Sequence, residues 1–139
     1  MEMRWHSSGH LEMNGRRFIL DTNAIIFLLK GNQVLLDAIK RAEWVGISVI
    51  SKIEFLAFPR LSESDSRLFE KFLERVDIIN LADGNKELLS NIIKIRKSNK
   101  IKLPDAIVIS TAVTNNSILI TADKQLKRVE EVEIISFDV

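Results

Sequence analysis

Arg17-Phe18-Ile19-Leu20-Asp21, running on into Thr22-Asn23-Ala24-Ile25-Ile26-Phe27-Leu28, is the stretch that decides the architecture. Phe18-Ile19-Leu20 is a brief apolar run without alternation, the mark of a strand covered on both faces, and it stops at a carboxylate. A helix follows through Ile25, Phe27 and Leu28. Short strands and helical periods then alternate along the chain.

After Gly31-Asn32 a second helix places Leu35, Ala38, Ile39 and Ala42 at helical spacing, and Trp44-Val45-Gly46-Ile47 reads as a strand. Val49 to Phe58 is mostly apolar apart from Ser51, Lys52 and Glu54, and Pro59 ends it. Ser62-Glu63-Ser64-Asp65 opens a helix with Leu68, Phe69, Phe72, Leu73 and Val76 on one face. Asp77 to Leu81 reads as a third strand. Asp83-Gly84 reads as the cap of a fifth helix that buries Leu88, Leu89, Ile92 and Ile93, with Ile95 at the margin. Pro104 fits the first position of a sixth helix, which runs through Ile107, Val108, Ile109 and Ala112 to Asn115-Asn116. Ser117 to Thr121 is a fourth strand, Asp123 to about Arg128 a short helix, and Val132 to Ser136 the last strand. Continuous apolar strands alternating with helices predict an α/β three-layer sandwich on a mainly parallel sheet of about five strands.

Composition agrees. The 139 residues suit one domain, with 46% hydrophobic and 28% charged residues. A net charge of +1, from 20 Lys and Arg against 19 Asp and Glu, argues against a strongly basic nucleic-acid coat protein but leaves a local basic patch open. No apolar run approaches the roughly 20 residues that span a bilayer, and no secretory signal opens the chain, so no membrane association is expected and the expected compartment is cytoplasmic. With no cysteine there is no disulfide scaffold and no thiolate nucleophile.

Both histidines, His6 and His10, lie in Met1 to Glu12, a stretch without period that looks like a purification leader. The alternative is a native, mobile N-terminus. Residues 1–12 are therefore set aside from the fold, leaving 13–139 as a single domain without His, Cys or Tyr. Its chemistry must come from carboxylates, hydroxyls, amides, Lys and Arg.

Ligands of open parallel sheets bind beyond the carboxyl ends of the strands. Asp21 sits at one such end and Asp123 two residues past another, at Thr121. Asp105 falls in the first turn of the sixth helix, where the helix dipole favours a carboxylate, and Glu54 interrupts an apolar stretch. If the four converge, their oxygens suit a hard cation such as Mg²⁺ or Mn²⁺. Each also has a plain structural role: Asp21 and Asp123 as helix caps, Asp105 as a dipole partner, and Glu54 as one end of a Ser51-Lys52-Ile53-Glu54 capping box. Singly, the plain roles win.

Together they form a pattern. Leu20-Asp21-Thr22-Asn23, Ile50-Ser51-Lys52-Ile53-Glu54, Leu103-Pro104-Asp105-Ala106-Ile107 and Ile120-Thr121-Ala122-Asp123-Lys124-Gln125-Leu126 resemble the motifs of a PIN-domain protein, in particular the VapC-like toxin ribonucleases of toxin–antitoxin pairs. The resemblance covers Arg17 to Val139. It implies four acidic metal positions, Asp21, Glu54, Asp105 and Asp123, accompanied by the polar Asn23 and Thr121. It also implies an endoribonuclease that hydrolyses RNA with metal-activated water, and a cognate antitoxin as partner. Leu126 departs from the aromatic residue many members carry there, a packing position. No acidic position is missing, which argues against an inactive relic.

Lys94, Arg96, Lys97, Lys100 and Lys102 lead into Pro104-Asp105. They read either as a solvated helix end or as a rim that tracks RNA phosphates. The Val49–Leu61 segment reads as core or as a homodimer contact. Within the same class, a housekeeping RNA-processing nuclease without an antitoxin and a non-catalytic binding protein stay open. A haloacid-dehalogenase-type phosphatase would want Asp at position 23, where Asn stands, and a phospho-receiver would want a late strand-end lysine where Thr121 stands.

Overall fold

The computed structural model describes residues 5–6 and 15–138. The remainder of the 1–12 stretch, His10 included, lies outside the described residues. Six strands form one sheet: β1 (Trp5–His6), β2 (Arg17–Leu20), β3 (Trp44–Ser48), β4 (Asp77–Ile79), β5 (Ile118–Thr121) and β6 (Ile134–Phe137). Their order is β1-β6-β5-β2-β3-β4. The pairings β2–β3, β3–β4, β2–β5 and β5–β6 are all parallel, as the unbroken apolar runs predict. Among the described residues only the β1 edge is antiparallel, with Trp5 opposite Phe137. Setting residues 1–12 aside from the fold missed this strand, because two residues carry no readable period.

Helices α1 (Thr22–Leu29) and α2 (Gln33–Arg41) join β2 to β3; α3 (Val49–Leu56) and α4 (Glu63–Leu73) join β3 to β4. Helices α5 (Lys86–Ser98) and α6 (Leu103–Thr114) lead to β5, and a 3-10 helix, η1 (Lys124–Arg128), leads to β6. Successive strand residues point to opposite faces, so each buried strand feeds two cores. Phe18, Leu20, Ile120 and Ile135 pack on one side with Ala24, Ile25 and Leu28 of α1, Leu35 of α2, Phe55 of α3 and Phe69 of α4. Ile19, Leu119 and Ile134 pack on the other with Leu88, Ile92 and Ile95 of α5 and Ala106 to Ile109 of α6. This is the three-layer sandwich.

Local chemistry explains most boundaries. Ser62 accepts from the Asp65 N–H (3.0 Å) and starts α4, with Glu63 and Asp65 in its first turn and Lys71 in its last. Gly31, at φ +88°, takes the left-handed position that lets the chain leave α1. Gly46 is required by its neighbour: a Cβ there would lie 2.4 Å from the Trp44 ring, which folds back along the same sheet face.

Four local readings need correction. Asn85, not Asp83-Gly84, caps α5, its Oδ1 accepting from the Leu88 N–H at 3.2 Å. The buried stripe of α5 is Leu88, Ile92 and Ile95, at i, i+4 and i+7, so Ile95 is buried and Ile93 is 54% exposed. Leu103 opens α6 and Pro104 follows it, still within the first turn, where a missing N–H costs no helical bond. β4 ends at Ile79, since Ser48 at the end of β3 offers no further partner for Asn80 and Leu81.

Candidate active site

The chain runs outward from β2 through β3 to β4, then returns to the other side of β2 as β5. The crevice between the carboxyl ends of β2 and β5 is therefore the topological switch point, where open α/β sheets bind ligands. Leu20 pairs with Ile120 in register, which brings Asp21 beside Thr121.

Asp21 is buried, and both of its oxygens are engaged. Oδ1 accepts from the Thr22 N–H at 2.8 Å, capping α1, and Oδ2 accepts from the Thr121 hydroxyl at 2.8 Å. Its structural role and its site role are thus served by different atoms. Thr121 Oγ1 in turn accepts from the Asp123 N–H (3.0 Å) and from Asn23 Nδ2 (3.4 Å), while Asn23 Oδ1 accepts from the Ala122 N–H (2.8 Å). Asn23 and Thr121 so lash the start of α1 to the β5–η1 turn. Asp123 caps η1 through the Gln125 N–H at 3.0 Å.

Glu54 makes no capping box. Helix α3 starts at Val49 behind Ser48, whose Oγ accepts from the Ile50 N–H, so Ser51 already lies inside the helix. The Ser51 hydroxyl is fully buried without a partner among the described residues. Released from a capping role, Glu54 accepts instead from the Thr22 hydroxyl at 2.7 Å. Thr22 is the residue the sequence reading passed over. Its position between Asp21 and Asn23 was the available signal.

Asp105 completes the group from the first turn of α6. Burial raises its carboxyl above the usual range; the charges of Asp123 and Glu54 raise it further, and Lys102 pulls it back. Burial likewise raises Asp21; the Thr121 hydroxyl and Thr22 N–H oppose this, and the charges of Asp105 and Glu54 add to it. Asp105 thus lies near Asp123, Glu54 and Asp21, and the four carboxylates, drawn from four segments, gather at one end of the sheet.

Lys102 offsets this cluster of negative charge only in part. Among the described residues no three acidic side chains already stand together at metal-holding distance. The donor chemistry fits a hard divalent cation, since every candidate ligand is an oxygen and a cation would favour the ionised form of a buried Asp21.

The basic run is divided. Lys94, Lys97 and Lys100 are exposed, whereas the Arg96 guanidinium donates to the Ile101 carbonyl at 2.9 Å and braces the α5–α6 loop. Arg128 donates to the Lys100 carbonyl of that loop. Lys102, through its effect on Asp105, is a cation within reach of the acidic cluster. Trp44 packs as strand structure, donating to Asp77 at 2.6 Å beneath the Arg17 guanidinium.

The PIN-domain family model matches residues 18–132, which span every element from β2 to the end of η1. The chain belongs to the PIN-domain family. No curated protein matches it. Among solved structures, VapBC2 of Rickettsia felis bound to promoter DNA superposes with a TM-score of 0.74 at 20% identity, covering 88% of this chain and 99% of that one. A toxin–antitoxin complex from Klebsiella pneumoniae gives 0.66 at 27% identity, covering 82% and 93%. VapBC-1 of nontypeable Haemophilus influenzae gives 0.68 at 22% identity, covering 86% and 97%. This PIN domain is VapC-like in fold. Among the described residues no helix is long and apolar enough to cross a membrane.

Proposed function

We propose that this PIN domain is a divalent-metal-dependent endoribonuclease, the toxin of a toxin–antitoxin pair acting in the cytoplasm. The observation that carries the reading is the convergence of Asp21, Glu54, Asp105 and Asp123 at the switch point of a parallel sheet. The toxin–antitoxin complexes among its structural neighbours support the biological role.

Asp21, Asp105 and Asp123 would hold Mg²⁺ or Mn²⁺, and Glu54 would hold metal or orient water. When bound, such an ion stabilises the developing charge on a phosphodiester and activates water. The protein's part is positional. Thr121 fixes Asp21, Asn23 fixes the β5–η1 turn that carries Asp123, and α6 aims Asp105. Lys102 and the exposed lysines beside it would meet RNA phosphates. The domain has no His to serve as base and acid for the RNA's own 2′-OH, so water attacks in line and the 3′-oxygen leaves. An antitoxin would seat an apolar segment in the groove lined by Ile26, Leu29, Phe55 and Phe58, rimmed by Lys30 and Arg60. A homodimer would use the face of α3 that exposes Ile53 and Leu56.

The test is cleavage of total RNA with Mn²⁺, mapped by end sequencing. Products with 5′-phosphate and 3′-hydroxyl ends, lost with EDTA, are expected. Cyclic 2′,3′-phosphate ends or EDTA-resistant cleavage contradict the reading.

A further inference from the structure

Thr22 grips two carboxylates with two different atoms. Its hydroxyl donates to Glu54 Oε1 at 2.7 Å, and its backbone N–H donates to Asp21 Oδ1 at 2.8 Å. The covalent frame of one residue thereby sets the spacing between side chains 33 positions apart in sequence (54 minus 21).

Glu54 needs such a holder. It is exposed on α3, with a long, rotatable side chain and like charges from Asp21 and Asp105 to drive it outward. Asp21 differs: burial and two hydrogen bonds already hold it. A hydroxyl at position 22 supplies what the described surroundings of Glu54 otherwise lack, a donor anchored on a different helix. Serine would keep that donor. Valine would keep the shape of threonine and lose it.

We infer that Thr22 is a positioning residue whose hydroxyl holds Glu54 facing Asp21 and Asp105, so that a divalent cation meets the three together. The inference rests on the metal-dependent nuclease reading and assigns Thr22 no contact with substrate.

The test uses the full chain as wild type, Thr22→Val and Thr22→Ser, with Thr22→Val also placed in Glu54→Ala. Mn²⁺ affinity is measured by calorimetry, and kcat and KM on an RNA oligonucleotide. Thr22→Val should weaken Mn²⁺ binding roughly tenfold, the usual scale for a residue that orients a ligand. It should lower kcat while leaving KM for RNA unchanged, and Thr22→Ser should restore most of both. In the Glu54→Ala background Thr22→Val should cost nothing further. Wild-type Mn²⁺ affinity in Thr22→Val, or an equal loss with and without Glu54, overturns the inference. A wild-type chain that binds Mn²⁺ without cutting RNA removes the nuclease reading alone, and the titration still decides Thr22. A wild-type chain that binds no Mn²⁺ removes both.

Discussion

Thr121 donates its hydroxyl proton to Asp21 Oδ2 over 2.8 Å, although 100 positions separate the two residues in the chain. The bond is buried and joins the ends of the two strands on either side of the switch point. It shows why Asp21 is more than a helix cap: a carboxylate needed only for α1 could have faced water. Burial keeps it dry, and Thr121 partly offsets the cost of doing so.

Neutralising that carboxylate should separate activity from stability. Asp21→Asn and Asp105→Asn are each expected to reduce divalent-dependent cleavage by at least about a hundredfold, while metal-free melting temperatures hold or rise by a few degrees. Melts in EDTA and cleavage assays at equal purity check this. Unchanged cleavage by either variant counts against the metal site.

Acidity should act on the metal-free protein in an unusual direction. Folding raises the carboxyls of Asp21 and Asp105 above their ordinary value of 3.8. The folded state therefore binds their protons more tightly than the unfolded state does. Their contribution to stability is fully present below 3.8 and is lost as pH rises through the raised folded values. At neutral pH the double variant Asp21→Asn/Asp105→Asn should thus be more stable than wild type, and the gap should close on acidification. Denaturant titrations across that range in EDTA check the sign, and a gap that widens towards acid refutes it.

The basic run should show itself in salt. Replacing Lys97, Lys100 and Lys102 with Ala leaves the loop braces from Arg96 and Arg128 intact. If all three lysines touch phosphates, the log–log slope of RNA binding against salt should flatten by about 2, at roughly 0.7 per contact for single strands. Binding isotherms at several salt concentrations, on the Asp105→Asn background expected to cleave slowly, measure it. A wild-type slope makes the run a solvated helix end.

The α3 face supplies the last prediction. Ile53 and Leu56 are 56% and 46% exposed, so half the apolar Val49–Leu61 segment does not serve the core. Sedimentation of wild type at tens of micromolar should give a dimer. Ile53→Glu/Leu56→Glu should weaken it at least about thirtyfold, the size of one interface hot spot. A monomeric wild type ends the dimer proposal.

What the amino-acid sequence determined by itself is whatever depends on neighbours along the chain. Unbroken apolar runs such as Phe18–Leu20 and Ile118–Ile120 can be covered only by helices on both sides, so they specify the parallel sheet and its sandwich. Ser62 caps its helix through a bond three residues long, and Asp21 and Asp123 end their strands where sequence order puts them. Tertiary structure decided what depends on which strands become neighbours. A start of α3 one residue after Ser48 turned a legible capping box into a buried Ser51 and a Glu54 that bonds to the Thr22 hydroxyl. Packing of α5 through Leu88, Ile92 and Ile95 left Ile93 in solvent, and the Trp5–His6 edge exists only because β6 offers it a partner. The insertion of β5 beside β2, rather than beyond β4, brought Asn23, Thr121 and Asp21 within bonding distance. No period or cap in the sequence encodes that placement. It follows from the burial of two long-separated apolar strands in one sheet, and the candidate site is its consequence.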